Sequence, residues 1–227
     1  MNYLLNRRKA FREVVADYKA MYRFKDNGED ATGNNDASMS NVTYSNSGGL
    51  PSLGKYSIYN GTTSYGQVTD DADVTNIKTC CVWIYLFDFG ELNVGRIIDK
   101  NASKTIFWPS GTDSKLEFYK LFDTSHGQWS SPNASIAATT WYNVAYTYAM
   151  DDNVATNPLI YINGQSVVVT EDVTPEGNMT SDTGADLYIG NRSDNQRTFN
   201  GRMDNLRIYD RVLTPTEILE IYNSEKP

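Results

Sequence analysis

The 227-residue chain contains 40% hydrophobic and 12% aromatic residues, which is enough for one large domain and excludes a disordered chain. Its net charge of −8 argues against a nucleic-acid partner, because phosphate contacts need a basic face. No apolar run approaches the ~20 residues of a membrane span, so we predict none.

The beginning of the chain differs in charge from the remainder. Residues 1–25 carry seven Lys or Arg against two Asp or Glu. Apolar side chains recur at helical spacing over residues 8–22, which predicts an amphipathic helix or ordered arm. Such a helix either packs on its own domain or docks the protein to a larger assembly. The predicted docking residues are Arg7, Arg8, Lys9, Phe11 and Arg12.

The adjacent pair Cys80 and Cys81 supplies the only thiols. Neighbouring residues of a strand point to opposite faces and a vicinal disulfide is strained, so we predict two free thiols, one in the core and one outward. The first residues lack the basic-then-apolar order of a secretory signal. We therefore expect the protein to be made in a reducing cytoplasm.

From residue 22 onward the sequence predicts short strands separated by turns. Asn163-Gly164, between two apolar runs, is a strong signal for a two-residue hairpin. Many short strands without βα alternation predict an all-β sandwich. The predicted strands are 57–59, 65–68, 79–89, 96–99, 105–108, 115–121, 141–148, 159–162, 166–169, 187–189 and 201–209.

The end of the chain combines a closing strand with a capped helix. Thr214 at the N-cap, Pro215 at the first helical position and Glu217 three residues after the cap form a capping box. The sequence therefore predicts a short C-terminal helix that follows directly on the strand at 201–209.

Five segments in this order resemble the laminin G-like jelly rolls of the concanavalin A-like lectin/glucanase superfamily. Phe24 followed by Asp-Ala-Thr-Gly-Asn-Asn at 30–35 is similar to the opening of these modules. Val-Trp-Ile at 82–84 is similar to their apolar-Trp-apolar strand. The segments 141–148 and 159–165 resemble their Trp-x-x-Val-Ala and Asn-Gly hairpin, and the run from 187 to 222 resembles their closing strand and helix.

The resemblance covers about residues 20–223 and implies a complete fold. We expect a two-layer antiparallel jelly-roll sandwich whose last strand lies beside its first. The domain would span residues 21–227, with residues 1–20 as a basic helix or arm and a short helix at the C-terminus. The fold is mostly a recognition scaffold, so the resemblance directs attention to what the protein binds.

One calcium site is predicted between the loop at 26–36 and the closing strand. Carboxylates and amides around a glycine are the oxygen ligands that Ca²⁺ prefers. In the resemblance the loop of Asp30 lies near Asp204, so these two are the first candidate ligands, followed by Asp26 and Asn34. The metal would stabilise the fold without catalysing a reaction. The alternative is an acidic loop in which Asp30 makes an Asx-turn and Asp204 accepts backbone hydrogen bonds.

Catalysis is not expected from the sequence. Retaining glycosidases place two carboxylates ~5–5.5 Å apart, and the Glu-x-Asp-x-x-Glu run of the glucanase branch is absent from this chain. The nearest acidic pairs, at 70–73, 151–152 and 171–172, fall in apparent loops. His126, the sole histidine, has no carboxylate in its immediate sequence, so a hydrolase remains a minor alternative.

Sugar binding depends on aromatic rings that stack on pyranose faces. Trp129 lies among small polar residues, which favours exposure and a contact site, but the alternative of a Trp that anchors the loop against the sheet edge is slightly preferred. Trp83 and Trp141 lie in strand patterns and are predicted core residues. The predicted ligand-binding residues are Trp129, Trp108, His126 and Tyr119.

Two functions from different classes follow. The first is a non-catalytic, lectin-like module that binds a glycan or cell-surface polysaccharide. The second is a structural protein that docks through residues 1–20 to a larger assembly, as a bacteriophage capsid-decoration or fibre protein would. In that case the partners are capsid or other virion proteins and the protein lies on the virion surface.

Overall fold

A computed structural model describes residues 17–45, 54–101, 103–151 and 154–226. Sixteen strands in these residues form two antiparallel sheets that pack face to face. This architecture is the expected jelly-roll sandwich.

The first sheet has eight strands. Its strands are β1 (Ala20–Tyr22), β3 (Thr43–Ser45), β4 (Tyr56–Asn60), β6 (Thr79–Leu86), β11 (Trp141–Thr147), β12 (Leu159–Ile162), β13 (Gln165–Ser166) and β16 (Asn200–Tyr209). They are ordered β13-β12-β11-β6-β16-β4-β3, and β1 pairs with β16. Tyr22 lies opposite Leu206, so the first and last strands are neighbours as predicted.

The second sheet also has eight strands. They are β2 (Ser38–Ser40), β5 (Tyr65–Val68), β7 (Ile98–Lys100), β8 (Thr105–Ser110), β9 (Lys115–Lys120), β10 (Gly127–Ser130), β14 (Thr170–Val173) and β15 (Leu187–Ile189). Their order is β14-β10-β9-β8-β7-β15-β5-β2.

The predicted Asn-Gly hairpin joins β12 to β13. Asn163 and Gly164 have φ values of 52° and 76°, the left-handed conformations that a tight two-residue hairpin requires. Ile162 then pairs with Gln165 across the turn. Local turn chemistry therefore determines the register of this sheet edge.

The core lies between the two sheets and is rich in aromatic residues. The rings of Phe118 and Tyr146, from opposite sheets, have centroids 4.3 Å apart. Trp129, which is completely buried, stacks on Phe118. Alternation along each strand supplies these inward residues, and the intervening residues point away from the core.

A C-terminal helix covers part of the outer face of the first sheet. Helix α1 (Pro215–Glu225) begins with the predicted capping box, in which the Thr214 hydroxyl accepts from Glu217 N and the Glu217 carboxylate accepts from Thr214 N. A second apolar cluster fills the space beneath it, formed by Cys81, Ala145, Tyr161, Tyr209, Leu213, Ile218 and Ile221. Cys80 lies in the main core, so the two thiols point to opposite faces, and α1 buries the outward one.

Several sequence expectations need correction. The predicted helix over 8–22 is wrong at its end, because Ala20–Tyr22 is strand β1, and residues 8–16 lie outside the described residues. The predicted strand at 166–169 is replaced by the shorter β13 and by β14, which begins at Thr170. Strands β2, β3 and β10 were not predicted, because their short sequences are dominated by Ser, Gly and Gln.

No helix among the described residues is both long enough and apolar enough to cross a membrane.

Candidate ligand-binding face

The outer face of the second sheet carries a continuous row of side chains. Ile98, Phe107 and Phe118 are core residues, so the residues next to them on β7, β8 and β9 point outward. Strand pairing aligns these outward residues side by side, in the order Tyr188, Asp99, Ile106, Tyr119 and Gln128. A neighbouring row carries Trp108 opposite Glu117. We call this surface, defined by those seven residues together with Arg96 and His126, the outer face.

Asp99 is the most unusual residue of the outer face. Its side chain has no exposed surface, and neither carboxylate oxygen accepts a hydrogen bond from another residue in the described part of the chain. Arg96 Nε lies 3.5 Å from Asp99 Oδ2, close enough for charge attraction but not for a good hydrogen bond. Burial raises the pKa of Asp99 to about 7, although the nearby Arg96 and Arg192 guanidinium groups act in the opposite direction.

Arg96 and Trp108 lie beside this carboxylate. The Arg96 guanidinium carbon is 4.7 Å from the centroid of the Trp108 ring, a cation–π arrangement. Arg96 Nη1 donates to Val94 O at 3.3 Å, which holds the guanidinium over the indole. Burial lowers the pKa of Arg96 to about 10, which leaves the group charged at neutral pH. Like the Asp99 oxygens, Arg96 Nε and Trp108 Nε1 are buried and have no hydrogen-bond partner among the residues that the structure describes.

An aromatic pair extends the outer face toward β10. Tyr119 and His126 stack with ring centroids 4.7 Å apart and planes 27° from parallel. Both side chains are partly exposed. Next to them, Gln128 Nε2 donates to Glu117 Oε2 at 2.6 Å, so this carboxylate is already paired. Stacked rings beside polar side chains form the surface that a flat, hydroxyl-bearing ligand can contact.

A charged loop borders the outer face. Arg192 makes two hydrogen bonds to Asp194, of 2.8 Å and 2.5 Å. The charge of Arg192 acts to lower the pKa of Asp99, against the effect of burial. Asn191 is buried and holds the base of the loop, because its side chain donates to Ser64 O and accepts from Arg197 N.

The structure brings together three of the four predicted ligand-binding residues. Trp108, Tyr119 and His126 share the outer face, although Trp108 is only 6% exposed. The expected exposure of Trp129 is wrong. Its ring lies in the core, and its Nε1 donates to Asn157 Oδ1 at 2.8 Å. Asp99 and Arg96 were not recognised in the sequence, because the strand pattern around them does not show that either side chain is buried.

The other two tryptophans were predicted core residues. Trp83 is 2% exposed, as expected, but it lies under helix α1 and stacks on Tyr222. Trp141 is only partly buried and contacts Tyr56 and Tyr85 on the outer side of the first sheet.

The predicted calcium ligand Asp30 has a different role in the structure. Its Oδ1 accepts from Met21 N at 2.7 Å and Thr32 N at 3.2 Å. Its Oδ2 accepts from the Thr32 hydroxyl and from Asn35 N, the latter at 3.3 Å. Four donors therefore occupy both oxygens, which is the Asx-turn alternative, and the carboxylate does not fit a calcium ligand in this arrangement.

The remaining predicted ligands do not complete a metal site. Asp204 is buried, accepts from Asn205 N at 2.8 Å and has a pKa raised by burial to about 8. Asp26 is exposed and forms a salt bridge of 2.6 Å with Lys55, and Asn34 is exposed. Within the described parts of the chain, no group of three or more His, Cys, Asp or Glu could hold a metal ion. Calcium binding stays a sequence prediction.

The predicted docking residues Arg7, Arg8, Lys9, Phe11 and Arg12 lie outside the described residues. The predicted boundary between residues 20 and 21 falls within β1, because that strand begins at Ala20. Residue 19 is already attached to the sheet, since Lys19 N donates to Ile208 O at 2.8 Å.

The acidic residues at 70–73 have structural contacts, and the pair at 151–152 lies partly outside the described residues. Asp70 pairs with Lys100 at 3.1 Å, and Asp71 caps a short 3-10 turn through Asp73 N. The placement of 171–172 in a loop is wrong, because Glu171 and Asp172 belong to strand β14 at the sheet edge.

The sequence matches a known protein family, and the fold matches solved structures. Residues 60–219 match a family described as the concanavalin A-like lectin/glucanases superfamily. No curated protein matches the chain in sequence.

Similar solved structures include domain 4 of an extracellular arabinanase from Geobacillus stearothermophilus, in complex with arabinotriose. That match has a TM-score of 0.63 and 19% identity, and covers 91% of this chain and 98% of the other. The binding domain of Paraclostridial mosquitocidal protein 1 has a TM-score of 0.67 and 15% identity, covering 93% of this chain and 53% of the other. The Trypanosoma rangeli sialidase has a TM-score of 0.62 and 16% identity, covering 89% of this chain and 32% of the other. The chain thus spans about half of the toxin domain and a third of the sialidase.

Proposed function

Because the chain belongs to the concanavalin A-like lectin/glucanase superfamily, we propose that it is a lectin-like module that binds a glycan on the outer face of its second sheet without catalysing a reaction. The observation that carries this proposal is the combination on one face of a partly exposed aromatic stack, Tyr119 with His126, and the buried polar group of Asp99, Arg96 and Trp108. Saccharide sites need both features, an apolar ring for the sugar face and fixed polar atoms for the hydroxyl groups.

The similar structures support a recognition role. One of them contains arabinotriose, and another is a toxin binding domain. Their sequence identities are below 20%, so they indicate the fold, and the choice of ligand for this chain depends on its own outer face. Arabinotriose is nevertheless a rational first probe.

The proposal is tested by a glycan array followed by calorimetry on the full chain. We expect one or more glycans to bind, and Tyr119→Ala to weaken binding about tenfold through loss of ring contact. Tyr85→Ala is the matched control, because Tyr85 is a partly exposed tyrosine on the first sheet. Absence of binding to all glycans, or equal weakening by both variants, would contradict the proposal. Trp129→Ala is unsuitable as a binding test because Trp129 is a core residue.

Absence of catalysis is part of the same proposal. Each glycan that binds is incubated with the protein, and release of new reducing ends is measured. We expect none, and hydrolysis of a bound glycan would revive the hydrolase alternative.

The structural alternative, attachment to an assembly such as a virion, depends on the start of the chain. A deletion that tests it has to stop at residue 16, because Lys19 and β1 pair with β16. If the truncated protein keeps its melting temperature and its glycan binding but no longer joins its assembly, the docking function is supported.

A further inference from the structure

We propose that Asp99 is the specificity-determining acceptor of the outer face, and that it takes two adjacent hydroxyl groups of a neutral saccharide. This inference rests on the proposed function, since it concerns the same face. It names the class of ligand and the residue that selects it.

The carboxylate oxygens of Asp99 have unused hydrogen-bonding capacity. An ionised carboxylate accepts at about four lone-pair positions. Among the described residues none donates a hydrogen bond of good length to either oxygen, and the ion pair with Arg96 is 3.5 Å long. Buried polar groups in folded proteins are almost always hydrogen-bonded. A buried carboxylate with only this long ion pair is therefore arranged for donors that come from another molecule. Two hydroxyl groups on neighbouring ring carbons match the spacing of its two oxygens.

Two buried N–H donors lie on the same face as these acceptor oxygens. Trp108 Nε1 and Arg96 Nε are buried N–H groups that make no hydrogen bond to the described residues, although Arg96 Nε lies 3.5 Å from Asp99 Oδ2. Both are fixed, because the guanidinium lies over the indole ring and is held by Val94 O. A hydroxyl group is donor and acceptor at once, so a sugar can donate to Asp99 and accept from these N–H groups.

Charges of both signs surround Asp99, and they disfavour both cationic and anionic ligands. A cation, such as an amine or a metal ion, would be drawn to Asp99 but repelled by Arg96 and Arg192, which both act on this carboxylate. An acidic sugar would meet the charge of Asp99 itself and that of Asp194, which also acts on this carboxylate. Neutral polyhydroxyl ligands avoid both penalties.

Access to Asp99 depends on the rim of the outer face. The side chain of Arg192 is 24% exposed, and its partner Asp194 is 44% exposed. An exposed ion pair contributes little to stability, so a ligand can displace it at low cost. Because the Asp99 side chain has no exposed surface, a sugar reaches it only if part of this border moves, and the exposed Arg192–Asp194 pair is the candidate for that movement.

The variant test compares Asp99→Asn with Asp172→Asn. Asparagine keeps the shape of Asp99 but removes the charge and one acceptor, whereas Asp172 is an exposed carboxylate at the sheet edge. Calorimetry is run with arabinotriose and with the neutral glycans that bind in the array. We expect Asp99→Asn to weaken binding at least about tenfold, because a hydrogen bond to a charged group is lost, and Asp172→Asn to have no effect. Unchanged affinity in Asp99→Asn overturns the inference.

A second measurement uses the natural protein and therefore does not depend on whether a variant folds. The groups near Asp99 are Arg96, Arg192, Asp194 and Tyr119, with Glu117 and His126 elsewhere on the face. Since the hydroxyl groups bind the carboxylate form, binding by the natural protein should weaken as the pH falls through about 7. It should also release a proton, seen as different binding enthalpies in two buffers of different ionisation enthalpy. Affinity that is constant between pH 6 and pH 8 overturns the inference.

The outcomes separate this inference from the proposed function. If no glycan binds the natural protein, both fail. If a glycan binds through Tyr119 but ignores the Asp99→Asn change, only the inference fails. A preference for acidic over neutral sugars also overturns it. If the pH dependence persists in Asp99→Asn, another group causes it, and the assignment to Asp99 is wrong.

Discussion

Glu225, in the last turn of α1, lies against the guanidinium of Arg207 on β16, and both side chains are almost completely buried. The same carboxylate accepts from Trp83 Nε1 at 2.8 Å and from Asn205 Nδ2 at 2.9 Å. One side chain near the end of the helix therefore connects α1 to two strands of the first sheet. Burial of this ion pair is favourable only while both partners are present.

Glu225→Ala should be strongly destabilising. The change leaves the Arg207 charge buried without its carboxylate, and we expect a loss of about 3–5 kcal/mol in the free energy of unfolding. Urea denaturation measures it. The matched control is Glu220→Ala on the same helix, which should change stability by less than about 0.5 kcal/mol. Equal effects of the two changes would refute this role for Glu225.

Asp204 should make the protein more stable in mild acid. Burial raises its pKa from 3.8 in the unfolded chain to about 8 in the folded protein. The protonated form is therefore favoured by folding, and its contribution to stability is lost as the pH rises through about 8. Below that value, stability should increase by about 1.4 kcal/mol per pH unit as the pH falls toward 5. Burial likewise raises the pKa of Asp99 to about 7, so protonation of Asp99 should also increase stability as the pH falls through about 7.

The measurement is urea denaturation of the natural protein and Asp204→Asn between pH 5 and pH 9. The difference between the two should be largest at high pH, where the variant is the more stable. Asp172→Asn serves as the exposed control. If the natural protein and Asp204→Asn have parallel pH profiles, Asp204 is not the buried titrating group.

The sequence predicts most of the sandwich because its signals are local. The Asn163-Gly164 hairpin and the Thr214 capping box each need only a few neighbouring residues, and both are present in the structure. Strand β11 also carries its inward and outward sides in its own alternating pattern, whereas the alternation of β16 is interrupted by a register shift between Asp204 and Arg207. The neighbouring positions of β1 and β16 were expected from the family resemblance, not from any local signal.

The outer face was only partly predictable because it depends on contacts distant in sequence. Trp129 is surrounded by polar residues in the chain, but pairing of β10 with β9 places it against Phe118 in the core. Asp99 resembles any charged strand residue until the sheet aligns it with Tyr188 and Ile106. The absence of donors around its oxygens is a property of the folded protein and has no sequence signal.

Thr214→Ala should destabilise the start of α1. The Thr214 hydroxyl accepts from Glu217 N and the Glu217 carboxylate accepts from Thr214 N at 2.7 Å, so the change removes one of two reciprocal bonds. We expect a loss of about 1 kcal/mol, measured by urea denaturation. Thr216→Ala, at an exposed position in the first turn, should have a much smaller effect. A neutral Thr214→Ala would show that the cap does not contribute.

Buried charges close one end of the sandwich. Lys120 Nζ lies 3.6 Å from Asp182 Oδ2, and neither side chain is exposed. Thr105 bridges them, since its hydroxyl donates to Asp182 at 2.9 Å and accepts from Lys120 at 3.1 Å. Asp182 also accepts from Asn76 N at 2.5 Å, which holds the covering loop.

Asp182→Ala should therefore cost about 3–5 kcal/mol, because it leaves the Lys120 ammonium group buried without a carboxylate. The double change of Lys120→Met with Asp182→Leu removes both charges at similar volume and should recover much of this loss. A double-mutant cycle from urea denaturation gives the coupling energy between the two residues. Additive effects would show that the two groups do not interact.

Chelation decides between the two interpretations of the loop at Asp30. A calcium ion bound to Asp30 predicts that EDTA lowers the melting temperature. Four donors to its two oxygens predict no change, because the carboxylate is satisfied by Met21, Thr32 and Asn35. We expect the melting temperature to be the same in EDTA and in excess Ca²⁺.

Asp30→Ala should nevertheless destabilise the protein by about 1–3 kcal/mol, because Met21 N and Asn35 N lose their acceptor. A melting temperature that falls in EDTA and recovers with Ca²⁺ would establish the metal instead, and loss of that response in Asp204→Ala would place the ion beside β16.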